Sequence, residues 1–306
     1  MKLQPLLAVV VLLGMVPFSV PADESVPPKK AAASGTTIII HGSDTMVMMA
    51  VDLAETYGRS SGDRVTVAGG GSGIGISSLT QGTVDICIST RPMKLAEKEK
   101  IEENGRKVTE LVVGYDALGI CVHESCTLES ISLDQLRSIW MTGEVRSWDA
   151  LGVKKPEGEI ALTGSGNTSG AYDHLRIVLS VPDQRGRFVQ GITEEADAAA
   201  ILQTIAENSQ AMGYARITEK QAKVKFLPVA PKDGAKPVAP APENIRNGTY
   251  PLSRPLYFYL TQPDEPGIKE FLAFVKSEEG QKIVENSGFT PAPAKEAAAP
   301  KGDGKK

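Results

Sequence analysis

Histidine, cysteine and tryptophan are scarce in this chain of 306 residues, which has three histidines, three cysteines and two tryptophans. The histidines, at positions 41, 123 and 174, have no metal-ligand spacing with one another or with the cysteines. No serine lies in the Gly-x-Ser-x-Gly pattern of a nucleophile elbow. We therefore expect no metal, no cofactor and no catalytic residues, and we predict that the protein is not an enzyme. For His174, on a predicted helix, we expect a surface or packing role.

Nucleotide-binding motifs and excess positive charge are also missing. The glycine-rich run GGGSGIG, residues 69–75, has neither the spacing of a dinucleotide loop nor the Gly-Lys-Ser/Thr ending of a P-loop. The formal net charge is −4. We therefore expect neither nucleic acid nor an anionic membrane as a partner.

Long apolar runs are missing apart from one at the N-terminus, from Leu6 to about Val16, which is short for a membrane span. A lysine precedes this run, and Val20-Pro21-Ala22 places small residues at positions −3 and −1 of a cleavage site. We predict a cleaved signal peptide over residues 1–22 and a periplasmic location. The compositions of residues 23–35 and 291–306 predict a disordered linker and a disordered tail. The roughly 255 residues between them suffice for one large or two modest domains.

The three cysteines leave at least one thiol free, because their number is odd. Cys87 lies in an apolar run and is predicted to be a buried small hydrophobic residue. Cys121 and Cys126 are five residues apart across a predicted strand end and turn. Both a local disulfide and two free thiols stay open for this pair.

Short β-branched runs alternate with helical segments, which predicts an α/β fold with parallel strand–helix–strand units. Strands are predicted at residues 37–40, 65–68, 84–88, 108–115, 118–122, 160–163, 212–214 and 256–260. Helices are predicted at residues 46–57, 72–81, 95–103, 132–140, 172–179, 194–207 and 268–284. Ser132 with Gln135 predicts a capping box at the start of one helix.

Three turns share a pattern, in which a strand is followed by Gly, Ser and Thr and then by a helix. They are residues 42–45, 69–73 and 164–170. Ligands of open α/β sheets bind at the carboxyl ends of strands, and helix N-termini favour anions. Two of the turns fall in the first half of the chain and one in the second, so we expect a ligand held between two lobes.

The polar residues of these turns suit a small tetrahedral oxyanion. Hydroxyl groups come from Thr45, Ser72, Ser89, Thr168 and Ser169. Arg91 offers a guanidinium that matches two anion oxygens. Asp44 and Asp85 would accept the proton of a protonated phosphate and would reject an unprotonated dianion such as sulfate. Other roles stay open: a helix cap for Asp44, a solvent-facing strand charge for Asp85 and a structural salt bridge for Arg91.

Several stretches occur in the order and spacing of one known family. They are Gly42-Ser43-Asp44-Thr45, GGGSGIG at 69–75, Gly82-Thr83-Val84-Asp85, Ser89-Thr90-Arg91-Pro92, Leu133-Asp134-Gln135-Leu136 through Trp148, Ala211-Met212-Gly213-Tyr214, Arg254-Pro255-Leu256-Tyr257, and Gly280-Gln281 with Ser287-Gly288-Phe289. Through them the chain resembles the periplasmic phosphate-binding proteins of ABC-type phosphate importers. The resemblance runs from about Thr37 to Thr290.

This resemblance implies a two-lobed periplasmic binding protein fold of type II, with each lobe a βα sandwich. Lobe one would comprise residues 36–116 plus 220–290, and lobe two, inserted into it, residues 117–219. The implied ligand is inorganic phosphate, the implied partner is an ABC-type membrane permease, and we expect a monomer. The implied ligand-binding residues are Asp44, Thr45, Ser72, Gly73, Asp85 and Arg91 in lobe one and Thr168, Ser169 and Gly170 in lobe two.

The second-lobe turn departs from the family pattern. Ala171 stands where members usually have threonine, Ser165 where many have arginine, and Asn167 where many have an acidic residue. We hypothesise that donors at Ser165, Asn167 and Thr168 compensate. The alternatives to phosphate delivery are binding of another oxyanion such as sulfate or molybdate, a sensor or adhesin module on the same fold, and an exported phosphatase.

Overall fold

The computed structural model describes residues 35–180, 186–218 and 220–293. The predicted signal peptide lies outside them, as do residues 23–34 of the predicted linker and residues 294–306 of the predicted tail. The strands are β1 (Thr37–Gly42), β2 (Arg64–Ala68), β3 (Ile86–Ser89), β4 (Thr109–His123), β5 (Ile131–Ser132), β6 (Ala161–Ser165), β7 (Thr193–Glu195), β8 (Ala211–Arg216), β9 (Val224–Leu227), β10 (Val229–Ala230), β11 (Ser253–Leu260) and β12 (Thr290–Pro291). The helices are α1 (Val47–Ser61), α2 (Ser72–Gln81), α3 (Leu95–Glu102), α4 (Leu133–Arg137), α5 (Gly170–Leu179), α6 (Ala198–Glu207), α7 (Pro242–Arg246), α8 (Pro266–Lys276) and α9 (Glu278–Asn286).

The α/β prediction is confirmed by one mixed sheet that contains most of these strands. β1 lies between β2 and β3, and all three run parallel. β11 then pairs antiparallel with β3, and β4 pairs antiparallel with β11. Beyond β4 the order continues with β8, β6 and β7, and β6 is parallel to both of its neighbours. The carboxyl ends of β1, β2 and β3 therefore lie together, as do those of β6 and β8.

Strand β4 joins the two parts of the sheet. Its first part, up to Ala117, pairs with β11, and its second part, from Leu118, pairs with β8 and β9. The prediction of two separate strands, 108–115 and 118–122, is wrong. The polar residue that interrupts the apolar run is Asp116, which is only 2% exposed and forms an ion pair with Arg254. Because that charge is paired, the strand continues through it.

Helix caps and strand pairing set three other element boundaries. The capping box of Ser132 and Gln135 is present at the start of α4. The single helix predicted for 268–284 is instead two helices, because Ser277 leaves the helical conformation and its side chain caps α9. The helix predicted from 194 begins at Ala198, because Thr193–Glu195 pairs with β6 as a strand and Asp197 caps α6.

Two large hydrophobic clusters lie on either side of the middle of β4. The first contains apolar side chains of β1, α1, β11 and α8, among them Ile40, Leu53 and Phe271. The second is built around Trp140 and Tyr214. It also includes side chains that follow β8 in sequence: Leu227, Val229, Ile245, Tyr250 and Leu252. No helix in the described ranges is long and apolar enough to cross a membrane.

The three cysteines are free and buried, so Cys121 and Cys126 do not form a disulfide in this structure. Cys87 is fully buried in β3, as its apolar surroundings predict. Burial raises the pKa of the Cys87 thiol to about 12. Burial likewise raises the pKa of Cys121 and Cys126, which keeps these thiols protonated and unreactive at neutral pH.

Candidate functional site

The turn after β1 and the glycine turn after β2 are joined through the carboxylate of Asp44. The Gly70 N–H donates a hydrogen bond to Asp44 Oδ1 at 2.8 Å. A Cβ atom on Gly69 would lie 2.3 Å from the same oxygen, so glycine is required for this close approach. The Gly71 N–H donates to the Gly42 carbonyl at 2.9 Å. Asp44 therefore lies in the predicted site, where it holds the glycine turn against the first turn.

His41 links the glycine turn after β2 to helix α2. Its Nε2 lies 2.6 Å from the Gly69 carbonyl oxygen, and its Nδ1 lies 3.2 Å from Ser78 Oγ. A carbonyl oxygen can only accept, so Nε2 carries a proton and donates to it. This histidine, for which the sequence indicated no role, orders the main chain that faces the site.

Ser72 and Thr45 lie where the sequence predicted, next to helix N-termini. Ser72 begins α2, and its Oγ accepts the Thr90 N–H at 3.2 Å. Thr45 belongs to the short 3₁₀ turn that precedes α1. Ser89 is fully buried and its hydroxyl donates to the Arg91 carbonyl at 2.7 Å, so it is not available to a ligand.

Arg91 forms a bidentate ion pair with Glu97. Its Nη1 and Nη2 donate to the two carboxylate oxygens at 2.9 and 2.8 Å. The hydrogen bond to Glu97 raises the pKa of Arg91, and the hydrogen bond from Arg91 lowers the pKa of Glu97. The guanidinium lies beside the start of α2, since a Cβ atom on Gly73 would be 3.8 Å from Nη2. Arg91 is therefore near the site, as predicted, but its charge is balanced by Glu97.

The second-lobe turn between β6 and α5 faces a cavity of about 430 Å³. Ser169 caps α5, because its Oγ accepts the Ala171 N–H at 3.2 Å. Thr168 and Ser169 line the cavity together with Gly170, the first residue of the helix. All three predicted second-lobe residues are thus in one place.

Thr45 and Gly170 bring the two halves of the site together. Thr45 lines the same cavity as the second-lobe turn. A Cβ atom on Gly170 would lie only 2.3 Å from Thr45 Oγ1, so glycine permits this contact. The chain segment that begins α1 and the N-terminus of α5 therefore meet at the cavity. Free N–H groups and helix dipoles at such ends favour an anion.

The structure does not bring Asp85 to these turns. Its Oδ2 accepts the Ile39 N–H at 2.7 Å, and its own N–H donates to the Ile39 carbonyl at 3.0 Å. It precedes β3, whereas the turn with Arg91 follows β3 at Ser89, about 13 Å further along an extended strand. The predicted ligand role of Asp85 has no geometric support, because its carboxylate fastens the start of β3 to β1.

A buried cluster of charged residues lies next to the cavity, where β4 passes from one part of the sheet to the other. Arg254 donates to Asp116 Oδ2 from Nε and Nη2, at 3.0 and 2.8 Å. Its Nη2 also donates to the Gly170 carbonyl at 3.3 Å. On the other side, Arg216 Nε lies 3.7 Å from Asp116 Oδ1. His174 Nδ1 lies 3.5 Å from Asp116 Oδ2, without the geometry of a hydrogen bond.

These neighbours decide the ionisation of the cluster. Burial alone would raise the pKa of Asp116, but His174 and the charges of Arg254 and Arg216 outweigh it and hold that pKa well below its usual range. Burial, reinforced by Arg254, lowers the pKa of His174 below its ordinary value of 6.5. At neutral pH the cluster therefore contains one carboxylate, two guanidinium groups and a neutral imidazole.

Sequence reasoning missed this cluster because its members lie at positions 116, 174, 216 and 254, on four different elements. Two signals were present: Asp116 interrupts an apolar run, and Arg254 begins one of the stretches quoted for the family resemblance. Nothing in the sequence indicated Arg216. His174 is buried, which agrees with the packing role and not with the surface role expected for it. Within the described ranges, no group of three or more His, Cys, Asp or Glu side chains is arranged to hold a metal ion.

Comparisons with known proteins show the family of the chain. A family model described as "PBP superfamily domain" matches residues 27–279. The phosphate-binding protein PstS of Pseudomonas aeruginosa is 31% identical over 287 residues, covering 88% of this chain and 87% of that protein. The structure of "a possible phosphate binding protein" from Planctomyces limnophilus matches with a TM-score of 0.75 and 26% identity, over 85% of this chain and 94% of that one. An ABC-type phosphate transport receptor from Vibrio cholerae matches with a TM-score of 0.68 and 25% identity, over 82% of this chain and 98% of the receptor. The chain therefore belongs to the PBP superfamily and, within it, to the family of the phosphate-binding proteins PstS.

Proposed function

We propose that this protein binds inorganic phosphate between two lobes and delivers it to an ABC importer. The observation that carries the proposal is the contact between Thr45 and Gly170, which places two turns from different parts of the sheet on one cavity. Helix N-termini at both turns provide neutral donors for an anion. The names of the relatives support phosphate as the anion and a binding protein rather than an enzyme.

We further propose that β4 and β11 form the hinge between the lobes. Lobe one would contain the first hydrophobic cluster, and lobe two the second. Leu227 through Leu252 contribute five buried side chains to the second cluster, which supports a return crossing near Ser253 instead of the boundary at residue 220 that the sequence predicted. Closure of the lobes on phosphate would be the state that the membrane permease recognises.

Export, partner and oligomeric state follow from the same proposal. The apolar run and cleavage pattern in residues 1–22 support a cleaved signal peptide and a periplasmic location. A related solved structure, 14% identical, is described as a periplasmic phosphate-binding protein. We also propose that the protein is a monomer that docks on an ABC-type permease, and a relative described as an ABC-type phosphate transport receptor supports the permease as partner.

Titration calorimetry with phosphate and with sulfate tests the proposed ligand. We expect phosphate to bind and sulfate, at the same concentration and ionic strength, to bind at least about a hundredfold more weakly, on the scale of an unpaired buried polar group. Sulfate binding as tight as phosphate binding would favour the alternative of a different oxyanion. A parallel phosphoester hydrolysis assay separates the phosphatase alternative, for which we expect no turnover.

Selectivity for a protonated anion then rests on Asp44. Its Oδ1 accepts the hydrogen bond from the Gly70 N–H, and Oδ2 has no hydrogen-bond partner within the described ranges. We expect Asp44→Asn to weaken phosphate binding and to relax the rejection of sulfate, because an amide can donate to an unprotonated oxygen. Asp85→Asn is the matched control, since that carboxylate is bonded to Ile39 and should leave selectivity unchanged. Loss of selectivity in the Asp85 variant alone would reverse these assignments.

A further inference from the structure

We propose that Arg216, which lines the cavity at the second-lobe turn, supplies the positive charge of the second-lobe half of the anion site. This inference rests on the proposed function, because it names the residue that contacts the bound anion. The turn between β6 and α5, residues 165–169, has no charged side chain of its own. Arg216 lies at the end of the neighbouring strand β8.

The register of the two strands places Arg216 correctly for this role. β6 and β8 are parallel, and Thr163 lies opposite Gly213. Continued by three residues, this register sets Gly166 level with Arg216 at the carboxyl ends of both strands. The Tyr214 hydroxyl donates to the Ser165 carbonyl at 3.2 Å and holds the two ends together. Arg216 lines the cavity along with Thr45, Thr168, Ser169 and Gly170.

The guanidinium of Arg216 is positioned by contacts that leave donors available. It lies over the Phe289 ring, 4.5 Å from the centroid, and Nη1 donates to the Ser287 carbonyl at 3.4 Å. The distance of 3.7 Å from Nε to Asp116 Oδ1 is too long for a hydrogen bond. In the described part of the chain Nη2 has no hydrogen-bond partner, and the side chain is 31% exposed. An anion in the cavity would meet an oriented cation with unused N–H groups.

Charge balance also points to this residue. Asp116 is matched by Arg254, which donates two hydrogen bonds to one carboxylate oxygen, so the charge of Arg216 is in excess. Arg91, the arginine that the sequence indicated, is matched by Glu97. Arg216 is also the one lysine or arginine among the described residues that line the cavity.

Two carboxylates on the cavity wall make a cation necessary for an anion to bind there. Glu195 accepts a hydrogen bond from Thr204 at 2.6 Å, and Asp197 accepts the Ala200 N–H at 2.9 Å as the cap of α6. Both carboxylates are engaged within the protein, yet both repel an anion in the cavity. Arg216 offsets that repulsion from the opposite side of the turn, at the end of β8.

Calorimetric titration of the full-length mature protein with inorganic phosphate tests the inference. We expect Arg216→Gln to raise the Kd about tenfold to a hundredfold, the usual effect of losing a charge-assisted hydrogen bond. Arg216→Lys should recover part of the lost affinity, because lysine keeps the positive charge but lacks the paired N–H donors of the guanidinium. Arg146→Gln is the matched control, since Arg146 is an exposed arginine whose side chain, among the described residues, bonds only to the Gly143 carbonyl.

A second measurement uses the unmodified protein, in case Arg216→Gln does not fold. Phenylglyoxal modifies accessible arginines, and peptide mass spectrometry reports each site separately. We expect saturating phosphate to protect Arg216 and to leave Arg146 unchanged. Either of two results overturns this inference: a Kd for Arg216→Gln within twofold of the Arg146→Gln value, or modification of Arg216 that phosphate does not slow. In both cases, phosphate binding by the unmodified protein upholds the proposed function. Absence of phosphate binding by the unmodified protein overturns both.

Discussion

The two halves of the cleft are held in place by different kinds of interaction. On one side, the turns that follow β1, β2 and β3 are bonded to one another through short polar contacts, such as Gly70 to Asp44 and Thr90 to Ser72. On the lobe-two side, a helix cap fixes the turn, and Arg254 ties it to a buried charge cluster through the Gly170 carbonyl. The first half is therefore ordered locally, whereas the second depends on residues from distant parts of the chain.

The two ion pairs illustrate the energetic side of this difference. Arg91 and Glu97 are about a third and a quarter exposed, at 33% and 26%. Arg254 and Asp116 are 15% and 2% exposed. Partly exposed pairs contribute about 0–1 kcal/mol, whereas loss of one partner of a buried pair costs about 3–5 kcal/mol. Substitutions in the two pairs should therefore have very different consequences.

Asp116→Asn should have the largest effect. It leaves two guanidinium groups beside a neutral amide in a buried place, and we expect a loss of about 3–5 kcal/mol in the free energy of unfolding. Urea unfolding at neutral pH, followed by circular dichroism, measures this. A loss below about 1 kcal/mol would mean that water or rearrangement stabilises Arg254, and the contrast between the two ion pairs would disappear.

Gly170→Ala and Gly73→Ala compare the first turns of two helices at the cleft. The new Cβ at Gly170 would lie 2.3 Å from Thr45 Oγ1, whereas at Gly73 the nearest atom is Arg91 Nη2 at 3.8 Å. Overpacking of this kind costs about 1–3 kcal/mol, so we expect Gly170→Ala to weaken phosphate binding about tenfold. Gly73→Ala should change the Kd by less than about threefold, since ordinary van der Waals contact is kept. Calorimetric titration of both variants measures the difference, and equal Kd values would show that Thr45 and Gly170 separate when the anion binds.

His174 gives the second half of the cleft a pH dependence. Its folded-state pKa is lowered by burial and by Arg254, so the unfolded chain binds more protons as the pH falls below about 6.5. The contribution of neutral His174 to the free energy of unfolding is therefore complete above that pH. Below it, the free energy of unfolding should fall toward pH 5 by on the order of 1 kcal/mol. We expect His174→Gln to abolish this decline in urea unfolding measured between about pH 5 and 8. If the free energy of unfolding of the variant declines equally steeply, groups other than His174 cause the pH dependence.

Sequence patterns predicted the local parts of this molecule well. The parallel units, the capping box at Ser132 and the three turns follow from periodicity, glycine and polar residues that are close together in the chain. These features predicted most of the candidate site residues on β1, β2, β3 and their turns, because these residues lie between positions 42 and 91. The predicted strand 84–88 already has Asp85 near its start and Ser89 and Arg91 beyond its end, so the ligand role predicted for Asp85 did not follow from its position in the strand.

The parts that failed depend on contacts between distant residues. Asp116 looked like a break between two strands because nothing in the sequence indicates that Arg254 is its partner. The role proposed for Arg216 depends on the register of β6 against β8, which two separate apolar runs do not specify. For Arg91 the sequence leaves a structural salt bridge open, but it does not indicate Glu97 as the partner.

Glu97→Gln should have the smallest effect and tests whether the lobe-one half needs its ion pair. We expect a loss of about 0–1 kcal/mol in the free energy of unfolding. Phosphate binding should tighten by about threefold or less, because the guanidinium beside Gly73 is freed while its charge remains partly exposed to solvent. Glu102→Gln is the matched control, since Glu102 ends the same helix α3 in an exposed pair with Lys98. If Glu97→Gln weakens phosphate binding more than tenfold and the control does not, Glu97 holds Arg91 in a productive position. Arg91 would then be an anion ligand, and the two halves of the cleft would each contribute a positioned arginine.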